Sequence, residues 1–144
     1  GGRFTDVAGA VGGGFAQPRV GRGLAVGDFD RDGDLDVLMT TNDGPAVLFR
    51  NDQSSGNRSL RLRLQGTVSN RDAIGATVVI MHGGVTQRRM VRGGSSYLSQ
   101  SELPLTIGVG RRDVVDRVVV TWPGGRVEEH RNVATGKSWD ITEG

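Results

Sequence analysis

Residues 28–36, with the sequence DFDRDGDLD, place five aspartates at alternate positions. Carboxylates this close repel one another unless a cation lies among them. Calcium takes six to eight oxygen ligands at about 2.3–2.6 Å, and a tight loop can turn several carboxylates toward one ion. Gly33 permits the sharp turn, because a residue without a Cβ adopts unusual backbone angles at little cost. The spacing therefore predicts a Ca2+ loop, with ligands from the side chains of Asp28, Asp30, Asp32 and Asp36 and from the backbone carbonyl of Asp34.

The residues around the loop distinguish it from other calcium loops. An EF-hand needs a bidentate Glu at position twelve and a following helix, but position twelve here is Met39. Residues 24–27 and 37–41 are apolar and partly β-branched, which predicts a strand on each side. Thrombospondin-type repeats are stapled by disulfides, and this chain has no Cys. The pattern therefore indicates a strand–loop–strand unit that Asp36 closes.

Two plainer interpretations of the loop are a solvated acidic turn and a metal that is purely structural. Asp and Gly are common in turns, but five aspartates in strict alternation favour a metal site. No bistable element is visible in the sequence, so we expect calcium to fix the fold and not to signal. Because extracellular calcium is millimolar, the loop favours an extracellular location, secreted or at the cell surface, over the periplasm.

Composition limits the other function classes. Of 144 residues, 24 are Gly, well above the usual share of about 7%, which favours short strands and tight turns. No apolar stretch approaches the ~20 residues of a membrane span. The 18 basic residues are scattered and aromatics make up only 5%, so we predict a solvated sheet face and no nucleic-acid partner. The chain begins with Gly1 and not Met, which suggests a processed chain or a fragment.

The chain divides into three parts. Residues 1–50 are predicted to form a β unit with strands at 4–7, 24–27, 37–41 and 46–49 and a Gly-rich irregular segment at 9–14. Residues 51–59 are polar and are interpreted as a linker that holds one glycosylation sequon, at Asn57. In residues 60–144, Leu60, Leu62 and Leu64 alternate with polar residues, which indicates a half-buried strand.

Further short strands are predicted at 76–81, 86–91, 105–109, 117–122, 127–131 and 138–142. Short strands at this spacing, separated by Gly-containing turns, are typical of an antiparallel β-sandwich or barrel. The predicted fold class is therefore all-β, with a blade-like unit that carries the calcium loop followed by a sandwich or barrel.

Two family resemblances cover nearly the whole chain. Residues 23–36 (GLAVGDFDRDGDLD) and 48–51 (LFRN) resemble an FG-GAP/VCBS repeat of the integrin-type β-propeller. The later motifs resemble the ASPIC/UnbV domain, which follows such repeats in secreted proteins: residues 69–76 (SNRDAIGA), 94–100 (GSSYLSQ), 107–110 (IGVG) and 120–125 (VTWPGG). The resemblance implies a secreted, calcium-binding, non-catalytic protein and assigns the loop aspartates the same ligand roles.

A single repeat cannot close a propeller, which has about four to eight blades. A lone blade would expose an apolar face and unpaired strand edges, which can pair with other chains. We therefore expect residues 1–50 to fold back on the sandwich, to meet neighbouring β-propeller blades, or to form a homo-oligomer. The Gly-rich N-terminal segment could be donated to the next subunit, which would build a head-to-tail filament.

Candidate catalytic groups are few. His82 and His130 are predicted to be surface residues, and Ser95 and Ser96 lie in a Gly-rich turn. Glu128 and Glu129 are adjacent, so on a strand they point to opposite faces and cannot form a carboxylate pair. Trp122 and Trp139 are predicted core anchors; the alternative is that Trp122, Trp139 or Tyr97 stacks on a glycan. We predict a structural or assembly module, with adhesion or carbohydrate binding as the alternative and an enzyme disfavoured.

Overall fold

The structure is a computed structural model that describes residues 2–144, and this range contains ten strands and no helix. In chain order the strands are β1 (Gly21–Gly27), β2 (Asp36–Thr41), β3 (Val47–Phe49), β4 (Arg58–Gln65), β5 (Thr77–His82), β6 (Val85–Met90), β7 (Leu105–Gly110), β8 (Val114–Thr121), β9 (Val127–Ala134) and β10 (Ser138–Thr142). The all-β prediction is confirmed. Over the same range, no helix is long and apolar enough to span a membrane.

The first three strands form an antiparallel sheet in the order β1-β2-β3. Gly27 pairs with Asp36, so the ladder closes directly beneath the acidic loop. The register places apolar side chains on both faces of this sheet. One face carries Leu24, Val26, Val37, Met39, Val47 and Phe49, and the other carries Ala25, Leu38 and Leu48.

The other seven strands form a sandwich of two sheets, ordered β10-β4-β7 and β6-β5-β8-β9. Its core is filled from both sheets, and the alternation predicted for β4 is observed, since Leu60, Leu62 and Leu64 all point inward. Trp122 is 1% exposed, so its predicted role as a core anchor is confirmed. Every buried residue of this core among those described lies between Leu60 and Ile141, which means that the N-terminal sheet contributes none of them.

Two fold predictions are wrong. Residues 4–7, expected as a strand, are irregular, and Phe4 is fully exposed because no neighbouring strand offers it a ladder or a core. The sandwich is also not purely antiparallel, because β10 pairs in parallel with β4. The chain leaves β9 at one sheet and crosses to the other sheet before β10 begins, which gives β10 the same direction as β4. In addition, β4 begins at Arg58, so the irregular connection is shorter than the predicted linker.

Candidate metal loop and its surroundings

The acidic loop connects β1 to β2 and lies at one end of the N-terminal sheet. Asp28 and Asp36, at its two ends, are buried, whereas Asp30 and Asp32 between them are exposed. Arg31 and Gly33 both adopt positive φ, at 64° and 98°. The Gly33 angle is one that side chains with a Cβ rarely adopt, which agrees with its predicted role in the turn.

Carboxylate oxygens converge at two overlapping places in the loop. Asp28, Asp30 and Asp36 each contribute one oxygen to a group in which all three atoms lie within 4.8 Å of one another, and Asp30, Asp32 and Asp52 form a second such group. Two ligands of the same calcium ion can be at most about 5 Å apart, twice the Ca–O distance. The spacing within each group is one that a bound cation would allow. Asp32 is not in the group of Asp28 and Asp36, so the four carboxylates predicted as ligands do not all meet in one group.

Asp28 holds an oxygen that no described residue satisfies. Its side chain is 1% exposed, and its Oδ1 is buried without a hydrogen-bond partner among residues 2–144. Its Oδ2 lies 3.3 Å from Nη1 of Arg61. Burial raises the pKa of Asp28 above its ordinary value, although the backbone N–H of Gly33, the Arg61 guanidinium and the backbone N–H of Arg31 act in the opposite direction. A buried carboxylate oxygen without a partner is costly, and a cation in the loop would satisfy it.

Asp36 joins the loop to the segment after β3. Its Oδ2 accepts a hydrogen bond from the backbone N–H of Phe29 at 2.8 Å, and its Oδ1 accepts one from Asn51 at 2.8 Å. Each carboxylate oxygen has more than one acceptor site, so these bonds leave room for a metal. Asp36 thus fixes both the start of the loop and the start of the linker.

The middle of the loop is organised by its own side chains. Asp30 Oδ1 accepts the N–H of Asp32 at 3.3 Å, and Asp32 Oδ1 accepts the N–H of Asp34 at 2.8 Å. The Asp34 carboxylate accepts from the Gln53 amide at 2.6 Å and is thereby drawn toward the linker. This placement is compatible with the expectation that Asp34 contributes only its backbone carbonyl.

Four residues near the loop were not found from the sequence. Asp52 was assigned to the linker, yet it joins Asp30 and Asp32, and Arg50 bonds to it at 2.8 Å. Arg61 and Glu102 reach the loop from the sandwich, from β4 and from the segment before β7. Their separation in sequence from Asp28 leaves no local pattern, although Arg50 and Asp52 could have been suspected because they directly follow β3.

A groove of about 900 Å³ lies between the acidic loop and the outer face of β4 and β10. The loop side is lined by acidic residues and Arg31, and the sandwich side carries Arg58, Arg61, Arg63, Lys137 and Asp140. The loop is therefore set against a predominantly basic wall. This arrangement lowers the repulsion among the loop carboxylates.

A second buried carboxylate lies outside the loop. Glu143 is 4% exposed, and its Oε2 accepts hydrogen bonds from the backbone N–H groups of Thr67, Val68 and Ser69 at 3.0, 3.0 and 2.7 Å. Its Oε1 accepts from the Ser69 hydroxyl at 2.9 Å. These bonds, first the one from the Ser69 N–H, lower the pKa of Glu143. No local sequence pattern marks Glu143, because its partners lie more than 70 residues away in the chain.

The histidines, turn serines and sequon asparagine considered in the sequence lie outside the acidic loop. The prediction that His82 is a surface residue is wrong: it is 7% exposed, because it shares the inward face of β5 with Val78 and Ile80. His130 is half-buried, and its Nε2 has no partner among the described residues. The Ser95 hydroxyl donates to the Ser99 carbonyl within its turn, Ser96 forms a bridge with Ser99, and Asn57 is exposed.

The two adjacent glutamates form ion pairs with arginines, and the three aromatic residues considered for glycan stacking differ in exposure. Glu128 pairs with Arg126, whereas Glu129 pairs with Arg117 and Arg131. Burial excludes Trp122 as a glycan platform. Trp139 is half-buried with Lys137 over its ring, and Tyr97 is 71% exposed.

The chain is similar in sequence to a known family and to several known proteins. The family model described as "ASPIC and UnbV" matches residues 66–144. Cartilage acidic protein 1 of Homo sapiens and of Mus musculus are each 35% identical over 127 residues, which cover 85% of this chain and 19% of the relative. Cartilage acidic protein 1 of Xenopus tropicalis is 35% identical over 121 residues, covering 81% and 18%. The chain spans about a fifth of the length of these curated relatives.

Proposed function

Because this chain belongs to the ASPIC and UnbV family, we propose that it is a calcium-stabilised structural or assembly module that acts outside the cell and not as an enzyme. The extracellular location is supported by the relatives named for cartilage and by the millimolar calcium available there. We further propose that residues 1–50 form an FG-GAP/VCBS-type blade, joined by 51–59 to an ASPIC/UnbV domain in residues 60–144.

The observation that carries the proposal is the buried carboxylate of Asp28, whose Oδ1 has no hydrogen-bond partner among the described residues and which is grouped with oxygens of Asp30 and Asp36. Calcium would be held by the carboxylates of Asp28, Asp30, Asp32 and Asp36 and by the carbonyl of Asp34, with Asp52 as a further donor. The ion would offset part of the loop's negative charge and cross-link its two buried ends. Its role is to rigidify the connection between β1 and β2.

Direct titration tests the metal site. Calorimetric addition of calcium to chelator-treated, dialysed chain should show binding of one ion per chain. Magnesium should bind more weakly, because it demands near-ideal octahedral geometry and dehydrates reluctantly. A chain that takes up no calcium at millimolar concentration would contradict the proposal.

The N-terminal sheet supports the assembly role. It is apolar on both faces, and Leu38 and Leu48 on one face are 42% and 41% exposed. On the other face Phe15 stacks on Phe49, with ring centroids 4.2 Å apart, which covers that face only in part. A sheet with two apolar faces is stable when another sheet packs against it. We propose that a second copy of this chain covers the Leu38 face in solution, in the place of a neighbouring blade.

Light scattering tests this association. At micromolar concentration the chain should be a dimer or a larger oligomer, and replacing Leu38 and Leu48 together by Ser should yield a monomer, because the apolar area that drives pairing is lost. The matched control replaces Val85 and Val127, which are 50% and 59% exposed on the sandwich, and should leave the oligomer unchanged. A monomeric wild-type chain would refute self-association.

A glycan-binding role is the second candidate, and the exposure of Tyr97 favours it. Tyr97 and the equally exposed Leu98 lie at the tip of a turn, where an aromatic ring is free to stack on a sugar. A glycan array read with and without calcium separates this role from a purely structural one.

A further inference from the structure

The N-terminal sheet and the sandwich meet along the outer edge of β1. Alternate N–H groups of this edge donate to side chains of one sandwich segment: Leu24 to Ser99 Oγ at 2.8 Å, Val26 to Ser101 Oγ at 3.1 Å, and Asp28 to Glu102 Oε1 at 3.0 Å. The N–H of Glu102 donates in return to the Val26 carbonyl at 3.1 Å. At this edge, side-chain oxygens of the sandwich therefore accept the N–H groups that a neighbouring strand would otherwise accept with its backbone carbonyls.

The last of these contacts continues into an ion pair. Arg61 forms a bidentate ion pair with Glu102, in which Nη1 donates to Oε1 at 2.8 Å and Nη2 donates to Oε2 at 2.5 Å. The same Nη1 lies 3.0 Å from the hydroxyl of Thr106 and 3.3 Å from Oδ2 of Asp28. Arg61 and Glu102 are 16% and 21% exposed, so water screens the pair only weakly.

This arrangement gives Asp28 a defined orientation. Arg61 holds Oδ2, and Oδ1 has no hydrogen-bond partner among the described residues. One carboxylate oxygen of Asp28 lies within 4.8 Å of oxygens of Asp30 and Asp36. Glu102 is the bidentate partner of Arg61, and its negative charge compensates the positive charge of the guanidinium. Without Glu102, the guanidinium would have Asp28 as its nearest carboxylate and would compete with a cation for it.

We propose that Arg61 and Glu102 are positioning residues for the calcium loop, and that calcium binding and the seating of the N-terminal sheet on the sandwich are one coupled equilibrium. The inference rests on the proposed calcium site. Because coupling between two binding events is reciprocal, calcium should hold the sheet in place, and loss of the Arg61–Glu102 contact should weaken calcium binding.

The first test replaces Glu102 with Gln and measures calcium affinity by calorimetry. Gln keeps an oxygen for the Asp28 N–H, so the fold is retained, but it no longer neutralises Arg61. We expect affinity to fall about 10- to 100-fold, the usual effect of altering groups that orient metal ligands. Glu129→Gln, in another arginine-paired glutamate on β9, is the matched control and should leave affinity unchanged.

The second test separates positioning from general damage. Adding Arg61→Gln to Glu102→Gln removes the competing guanidinium, so the double variant should regain part of the lost affinity. A purely structural role predicts further loss. Trypsin cleavage after Arg50 supplies an independent readout, because Asp36 holds the Asn51 N–H of that bond. The calcium concentration that protects this bond should rise in Glu102→Gln in step with its weaker affinity.

The outcomes distinguish the two proposals. A wild-type chain that binds no calcium overturns both. A wild-type chain that binds calcium, with Glu102→Gln unchanged in affinity and in protection, overturns the positioning inference alone. A double variant that binds more weakly than Glu102→Gln does the same.

Discussion

Asp36→Asn should abolish the calcium-dependent stability of this chain. Asp36 is 2% exposed and contributes one oxygen to the group shared with Asp28 and Asp30. Asparagine preserves the size of the side chain and one acceptor oxygen. It removes one of the negative charges that attract the dication, and its NH2 group replaces an oxygen that accepts a backbone N–H. An ion present at a hundred times its Kd stabilises the native state by about 2.7 kcal/mol. For a chain of this length that amounts to about 10 °C in Tm, and the variant should lose that increment.

The quantity to compare is the difference in Tm between calcium and chelator. This difference excludes any calcium-independent cost of altering the bonds from Phe29 and Asn51. Asp43→Asn is the matched control, since Asp43 lies in the turn after β2 at φ 57°, a conformation that Asn adopts readily. The control should keep the full calcium response. A calcium response retained by Asp36→Asn would contradict the assigned ligand set.

Glu143→Gln should lower Tm by several degrees and remove an acid-sensitive part of the chain's stability. The carboxylate binds three consecutive backbone N–H groups and the Ser69 hydroxyl, and so it fixes the loop that precedes β5. Glutamine offers one oxygen in place of two and adds an N–H that faces donors. The same loop includes Ala73, which is fully buried at φ 53°, so loosening it disturbs the edge of the core.

The pH dependence follows from the direction of the pKa shift. The pKa of Glu143 is lower in the folded chain than its ordinary value, so the folded state binds fewer protons than the unfolded state. The stabilisation is complete above the ordinary pKa of a glutamate, about 4.3, and is lost as the pH falls below that value and through the lower pKa of the folded state. Melting curves between pH 3 and 7 should show a smaller acid loss in Glu143→Gln than in the wild-type chain. Parallel curves for the two would contradict this assignment.

Local patterns predicted most of the strands. The alternation of Leu60, Leu62 and Leu64 with polar residues predicts which face of β4 is buried in the core. The Gly-containing turns predict where the strands end. The acidic loop is equally local, because its spacing depends only on neighbours along the chain. Residues 4–7 show the limit of such reasoning, since they were predicted as a strand but have no neighbouring strand to pair with.

What could not be predicted depends on contacts between distant residues. Arg61 and Glu102 meet Asp28 only because β4 and the segment before β7 lie against β1. His82 is an exception, because its burial follows from the local alternation that it shares with Val78 and Ile80 and could have been predicted from it. The parallel pairing of β10 depends on a crossover between sheets that no local pattern indicates. Glu143 becomes important for the same reason, since β10 brings it to the loop after β4.

The Tm of the wild-type chain, measured in millimolar calcium and again in excess chelator at the same ionic strength, tests the central claim most directly. If calcium fixes the connection between β1 and β2, chelation should lower Tm by about 10 °C for an ion held at a hundred times its Kd. Readdition of calcium should restore the original value. Superimposable melting curves in calcium and in chelator would contradict the claim that calcium stabilises this fold.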